Sequence, residues 1–136
     1  MKTARLITVT LLSAVALTAL TACSSDSDDG NDVPTSWIST EYSSSGVDYL
    51  DTSDPTTKVA DEIHGNTSSQ GRISDGDMVL LRYDDDIVAI SPHQAGSRIE
   101  IDDYRSGYNR WSTQIGTQWP APDSDEFRGG GPGEGK

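Results

Sequence analysis

Apolar positions form one long block near the start of the chain and a series of short, periodic clusters after it. Residues 6–20 are mostly Leu, Ala, Val and Ile with scattered Thr and Ser, and two cations, Lys2 and Arg5, precede them. Residues 24–32 (SSDSDDGND) then contain four Asp and no apolar side chain, a composition that cannot bury enough surface to fold. From there the pattern becomes structural. Trp37, Ile38, Glu41 and Tyr42 have the spacing of a short helix, which residues 43–46 (SSSG) end. Residues 47–50 predict a short strand. Asp54-Pro55 predicts a helix start, since Asp caps free N–H groups and Pro suits the first helical position. Val59, Ala60 and Ile63 share one face of that helix, and Gly65 is a natural stop. Residues 66–76 are polar and Gly-punctuated and predict a loop.

Residues 78–83 (MVLLRY) and 87–90 (IVAI) are β-rich runs separated by Asp84, Asp85 and Asp86, the pattern of a hairpin. A second turn over residues 92–97 leads into Ile99-Glu100-Ile101-Asp102, which alternates apolar and polar. The fold class expected is therefore α+β: a three- or four-stranded antiparallel meander with two short helices on one face. Continuous apolar character suits IVAI to the central strand. After Trp119 the chain turns to PAPDSDEF and RGGGPGEGK, which should not fold on its own.

Four segments follow: a leader over 1–22, an acidic tether over 23–33, one small domain over 34–119, and a Pro/Gly-rich tail over 120–136. A folded part of about 85 residues makes a stable core with little interior left for a deep pocket. The apolar block at 6–20 is shorter than the roughly 20 residues of a membrane span. With its basic start and the small-residue site Leu20-Thr21-Ala22-Cys23, it has the form of a signal peptide. Leu-Thr-Ala-Cys resembles the lipobox of bacterial lipoproteins, in which the Cys thiol takes a diacylglyceryl group and becomes the new N-terminus. Cys23 is also the only cysteine, which excludes an internal disulfide and any Cys-based zinc site. The localisation expected is the outer face of the cell membrane, with lipid on Cys23 as the anchor.

Charge narrows the partners. The chain has 10 basic and 22 acidic residues; without Lys2 and Arg5 it keeps eight against 22, a net of −14. Such a surface repels phosphate backbones and excludes nucleic acid. The tail segment Gly130-Gly131-Pro132-Gly133-Glu134-Gly135-Lys136 fits G-x-x-x-x-G-K. It lacks the Ser or Thr after the Lys and the helix that a phosphate loop needs, so no nucleotide is expected. Neither DSDDGND, DGD nor DDD has calcium-loop spacing, and no metal or other cofactor is implied. Ser is plentiful but no G-x-S-x-G elbow is present; His93 falls in a loop after Pro92, and His64 falls near a helix end, where a His more often meets the last carbonyls than catalyses. No catalytic residues are assigned and no enzyme activity is expected. The rival class is a hydrolase of envelope polymers that uses no recognisable motif.

Residues 102–111 stand out: Tyr104, Arg105, Tyr108, Arg110 and Trp111 gather in an acidic, aromatic-poor chain. Tyr, Trp and Arg dominate binding hot spots, and Arg takes a carboxylate or phosphate through two parallel hydrogen bonds. These five residues are the candidate binding surface, with Gly107 allowing a turn that brings Tyr104 and Tyr108 to one side. The competing reading makes the aromatics core and pairs the arginines with Asp84, Asp85 and Asp86 or with Asp102 and Asp103.

The stretch Leu81-Arg82-Tyr83-Asp84-Asp85-Asp86-Ile87-Val88-Ala89-Ile90, followed by residues 96–111 (GSRIEIDDYRSGYNRW), resembles the actinobacterial lipoproteins catalogued as domain of unknown function 4247. The closing RGGGPGEGK, the Cys-anchored leader and residues 55–63 are similar to that family as well. The resemblance covers most of residues 34–136; the Ser/Asp-rich tether and the long 66–77 loop depart from its pattern without touching the shared motifs. It implies an envelope lipoprotein and lends no catalytic residues. The function expected is a lipid-anchored binding or assembly module whose partner is an envelope protein or glycopolymer.

Overall fold

The computed structural model describes residues 31–127. The leader, Cys23, most of the tether and the tail from residue 128 onward lie outside the described residues. In chain order the elements are α1 (Thr35–Glu41), β1 (Ser43–Ser45), β2 (Asp48–Asp51), α2 (Thr56–Asn66), β3 (Gly71–Asp75), β4 (Met78–Arg82), β5 (Asp86–His93), β6 (Gly96–Asp103), α3 (Tyr104–Arg110) and α4 (Ser112–Ile115).

The strands form one six-stranded sheet in the order β1-β2-β6-β5-β4-β3, antiparallel throughout. This corrects the expected three- or four-stranded meander with two helices on one face. Two differences matter. The polar stretch read as a loop contains β3, an edge strand with Ile73 opposite Leu80. On the other edge, the β1–β2 hairpin pairs with β6, setting Tyr49 opposite Ile99.

Helices cover both faces of the sheet. Val79, Leu81, Val88, Ile90 and Ile99 pack beneath Ile38 of α1 and Val59, Ala60 and Ile63 of α2. On the other face Ile73, Leu80, Ile87 and Ala89 pack against Tyr104, Trp111, Ile115 and Trp119. Adjacent residues of one strand point to opposite faces, so a sheet buried on both sides needs an unbroken apolar run. That is why MVLL and IVAI do not alternate. Each fully buried aliphatic side chain contributes about 1.5–3 kcal/mol, and Leu81, Ile87, Val88 and Ile90 are fully buried.

Short turns set the register. Gly46 and Gly76, at φ 68° and 58°, begin the two-residue hairpins between β1 and β2 and between β3 and β4, a position where positive φ is required. Gln94 takes the same place between β5 and β6 at φ 52°. At the start of β6, Gly96 lies against the Asp51 carbonyl oxygen and the Ser53 nitrogen, where any side chain would overlap backbone.

The two ends of the described chain meet beside the turn between β4 and β5. The Asn31 N–H donates to Asp84 Oδ2 at 2.6 Å, and the Asp84 N–H donates to the Asn31 carbonyl oxygen at 3.0 Å. The Tyr104 N–H donates to the Asp85 carbonyl oxygen at 2.7 Å, and the Phe127 ring stacks on Tyr104 with centroids 4.3 Å apart. Residues 120–127, grouped above with the tail, thus pack against the second face.

Candidate functional site

The aromatic and arginine segment is a helix, and its sequence explains why. Asp103 precedes it, and the Ser106 N–H donates to Asp103 Oδ1 at 3.1 Å. This bonding to Ser106 holds the Asp103 carboxyl below its usual range, as expected for a carboxylate at a helix start. Tyr104, Tyr108 and Trp111 then recur at a spacing of one turn. Gly107 faces the sheet: a Cβ placed there would lie 3.0 Å from the Ile87 Cβ. Gly107 therefore serves close helix–sheet packing inside α3, and the expected turn at that position is not formed. The Tyr104 and Tyr108 rings still come to one side, 6.0 Å apart, because they stand four residues apart on a helix.

The five candidate residues divide by depth. Tyr104 and Trp111 are buried parts of the second core. The Tyr104 hydroxyl donates to the Pro120 carbonyl oxygen at 2.8 Å, and burial raises its phenol above the ordinary value. Tyr108 is half-buried against the same core. The two arginines are the exposed members, with side chains 60% and 56% accessible. Arg105 donates through both terminal nitrogens to Asp123, at 2.9 and 2.5 Å. Arg110 donates to Asp102 Oδ2 at 2.9 Å and lies 3.4 Å from Glu100 Oε1, with its guanidinium 5.4 Å from the Trp111 ring centroid. Bonding to Asp123 and to Asp102 raises both guanidinium groups further from neutrality. The structure therefore brings Arg105, Tyr108 and Arg110 to the surface over an aromatic base of Tyr104 and Trp111.

One cation beside this base behaves differently. Arg82, at the end of β4, has its guanidinium 5.4 Å from the Tyr104 ring centroid. It makes no ion pair among the described residues. Its Nε is buried without a hydrogen-bond partner. Sequence reasoning passed over Arg82, since nothing in a strand of MVLLRY reveals which partner its charge lacks.

With the geometry in place, comparison with known families is decisive on one point. Residues 16–136 match the family described as Domain of unknown function (DUF4247). The chain belongs to that family. The match to DUF4247 takes in Cys23, the whole six-stranded sheet, α3 and the Gly-rich tail. No curated protein and no solved structure matches the chain.

Other features of this DUF4247 domain are modest. Two shallow clefts flank Gln94 at the end of the sheet opposite Arg82. One, of about 220 Å³, is lined by Pro55, Thr56, Asp77 and Pro92. The other, of about 140 Å³, is lined by Leu50, Asp51, Thr52 and His93. Among the described residues no cluster of three or more His, Cys, Asp or Glu has metal-holding geometry. Among the same residues no helix is long and apolar enough to cross a membrane.

Proposed function

We propose that this DUF4247 chain is a lipoprotein held at the outer face of the cell membrane by a lipid on Cys23, where its domain acts as a binding or assembly module of the envelope. The observation that carries this reading is the sequence at the leader's end. A basic start, an apolar block, and Leu20-Thr21-Ala22 stand immediately before the chain's only cysteine. Residues 24–30 are small, polar and acidic and contain no apolar side chain, a composition that fits a spacer between anchor and domain.

The surface offered to a partner is the exposed side of α3: Arg105, Arg110 and the half-buried Tyr108. An anionic glycopolymer or an acidic patch of a partner protein fits this chemistry, because both arginines already hold carboxylates in the open. Exchanging one exposed carboxylate for another costs little, whereas the rest of the surface repels anions.

Radiolabelled palmitate separates this reading from its failure. The wild-type chain should take up label and Cys23→Ser should take up none. Equal labelling of the two would end the lipoprotein assignment.

A further inference from the structure

The described residues include six cations: Lys58, Arg72, Arg82, Arg98, Arg105 and Arg110. Five of them lie within 4.0 Å of a carboxylate oxygen. Among the described residues Arg82 alone does not, in a strongly acidic chain. Its nearest acidic neighbours in sequence make no ion pair with it. Asp84 accepts from the Asn31 N–H and from the Gln70 side-chain amide, and Asp85 is exposed at the turn. Burying part of a cation without an opposite charge or an acceptor is unfavourable. Such a group, retained where acidic residues are plentiful, calls for a compensating anion from outside the fold.

We infer that Arg82 is an oxyanion-binding residue whose ligand is a phosphate group seated beside Tyr104. Arg82 is half-buried as a residue, and no hydrogen bond ties its terminal nitrogens to another described residue. With Tyr104 against the guanidinium face, those nitrogens are left to donate in the plane, which matches two oxygens of a phosphate. Trp119 adds a neighbouring donor: its indole Nε1 lies over Gly71, directly across the strand pair from Arg82. Phosphate in particular follows from position, and this step rests on the anchoring reading above. Arg82 stands at the end of the sheet where the described chain begins, beside Asn31 and Asp84. The eight steps of chain from Cys23 to Asn31 reach at most about 28 Å, so this end stays near the bilayer surface, where phosphate is the abundant anion. The source is a lipid headgroup or a free phosphate ester.

Inorganic phosphate titrated into the full chain in a maltoside detergent tests the site, with the Arg82 Nε–H and Trp119 indole N–H followed by NMR. Both resonances should shift saturably. Arg82→Gln should weaken phosphate binding about tenfold or more, read at Trp119, and Arg82→Lys should fall between. Arg72→Gln, which removes an arginine paired with Asp61 at 2.5 Å, should leave the affinity unchanged. Equal affinity in wild type and Arg82→Gln overturns the assignment, as does no shift at either resonance. Phosphatidylcholine vesicles that displace inorganic phosphate identify the lipid headgroup as the source; vesicles that do not displace it point to a free ester. Phosphate binding is measured without reference to the lipid on Cys23, so it stands or falls separately from the palmitate result.

Discussion

Gly107 lies directly over Ile87, so close that a Cβ on the glycine would stand 3.0 Å from the Ile87 Cβ and 3.2 Å from its Cδ1. Two effects oppose one another at this position. Alanine in a helix interior is favoured over glycine by about 1 kcal/mol. Overpacking a closed core costs about 1–3 kcal/mol, and the Trp111 ring, at 3.2 Å on the same side, leaves the new methyl no direction in which to move. The packing cost should win. Gly107→Ala is expected to lose about 1 kcal/mol and Gly107→Val considerably more, measured by urea unfolding. A stabilised Gly107→Ala would mean that α3 rides more loosely on the sheet than the structure shows.

The same contact explains what could be read in advance and what could not. β4 and β5 are legible because both faces are buried, which writes unbroken runs of apolar and β-branched residues into the sequence. β1 is three serines, all exposed, and exists only because the Gly46 turn folds it back onto β2. Its own residues carry no strand signal. β3 offers one buried side chain, Ile73, among Gly, Arg, Ser and Asp, so an edge strand looks like a loop. In α3 a lone glycine resembles a turn in sequence, whereas Asp103 as cap with Tyr104, Tyr108 and Trp111 at helical spacing makes a helix. The ion pairs of Arg105 and Arg110 come partly from residues distant in sequence. Only the fold shows that Asp123 and Glu100 reach them while no acid among the described residues pairs with Arg82.

Val88 and Asp85 provide a test of the sheet itself. Val88 is fully buried at the centre of β5, and Asp85 is exposed in the preceding turn. Val88→Asp should cost about 3 kcal/mol or more by placing an unpaired carboxylate between β5 and the helices above it. Asp85→Asn should change stability by less than about 0.5 kcal/mol, because the contact Asp85 makes to Tyr104 uses its backbone carbonyl oxygen. Similar melting temperatures for the two variants would contradict the placement of β5.

Stability should fall in alkali. Tyr83 is fully buried and donates its hydroxyl to the Thr67 carbonyl oxygen at 2.8 Å. Burial pushes its phenol up from 10.0 to about 12, and burial also raises Tyr42 and Tyr104. The unfolded chain loses these protons near pH 10 while the folded chain keeps them. The contribution is therefore fully present below pH 10 and is lost as pH rises toward 12. For Tyr83 a gap of that size corresponds to about 2–3 kcal/mol. The melting temperature should be flat below pH 10 and drop steeply above it, with a shallower drop in Tyr83→Phe. A flat profile through that range would mean that Tyr83 ionises freely in the folded state.

Arg105 and Arg110 bear on function. Their side chains are 60% and 56% accessible and their carboxylate partners also meet solvent. Solvent-exposed ion pairs contribute little to stability, so replacing both arginines by Gln should leave the melting temperature nearly unchanged. Partner capture is the informative measurement. If α3 presents the binding surface, Arg105→Gln with Arg110→Gln should abolish recovery of envelope partners from detergent-solubilised membranes. Tyr108→Ala should weaken recovery without abolishing it, because half of its ring belongs to the core. Undiminished recovery by the folded double variant would move the contact off α3. A large fall in melting temperature would instead assign the arginines a structural role, through the tie that Arg105 makes to Asp123 in the segment leading to Phe127. Arg105→Gln alone would distinguish that case, since it removes this tie and leaves the bonds of Arg110 to Asp102 and Glu100 in place.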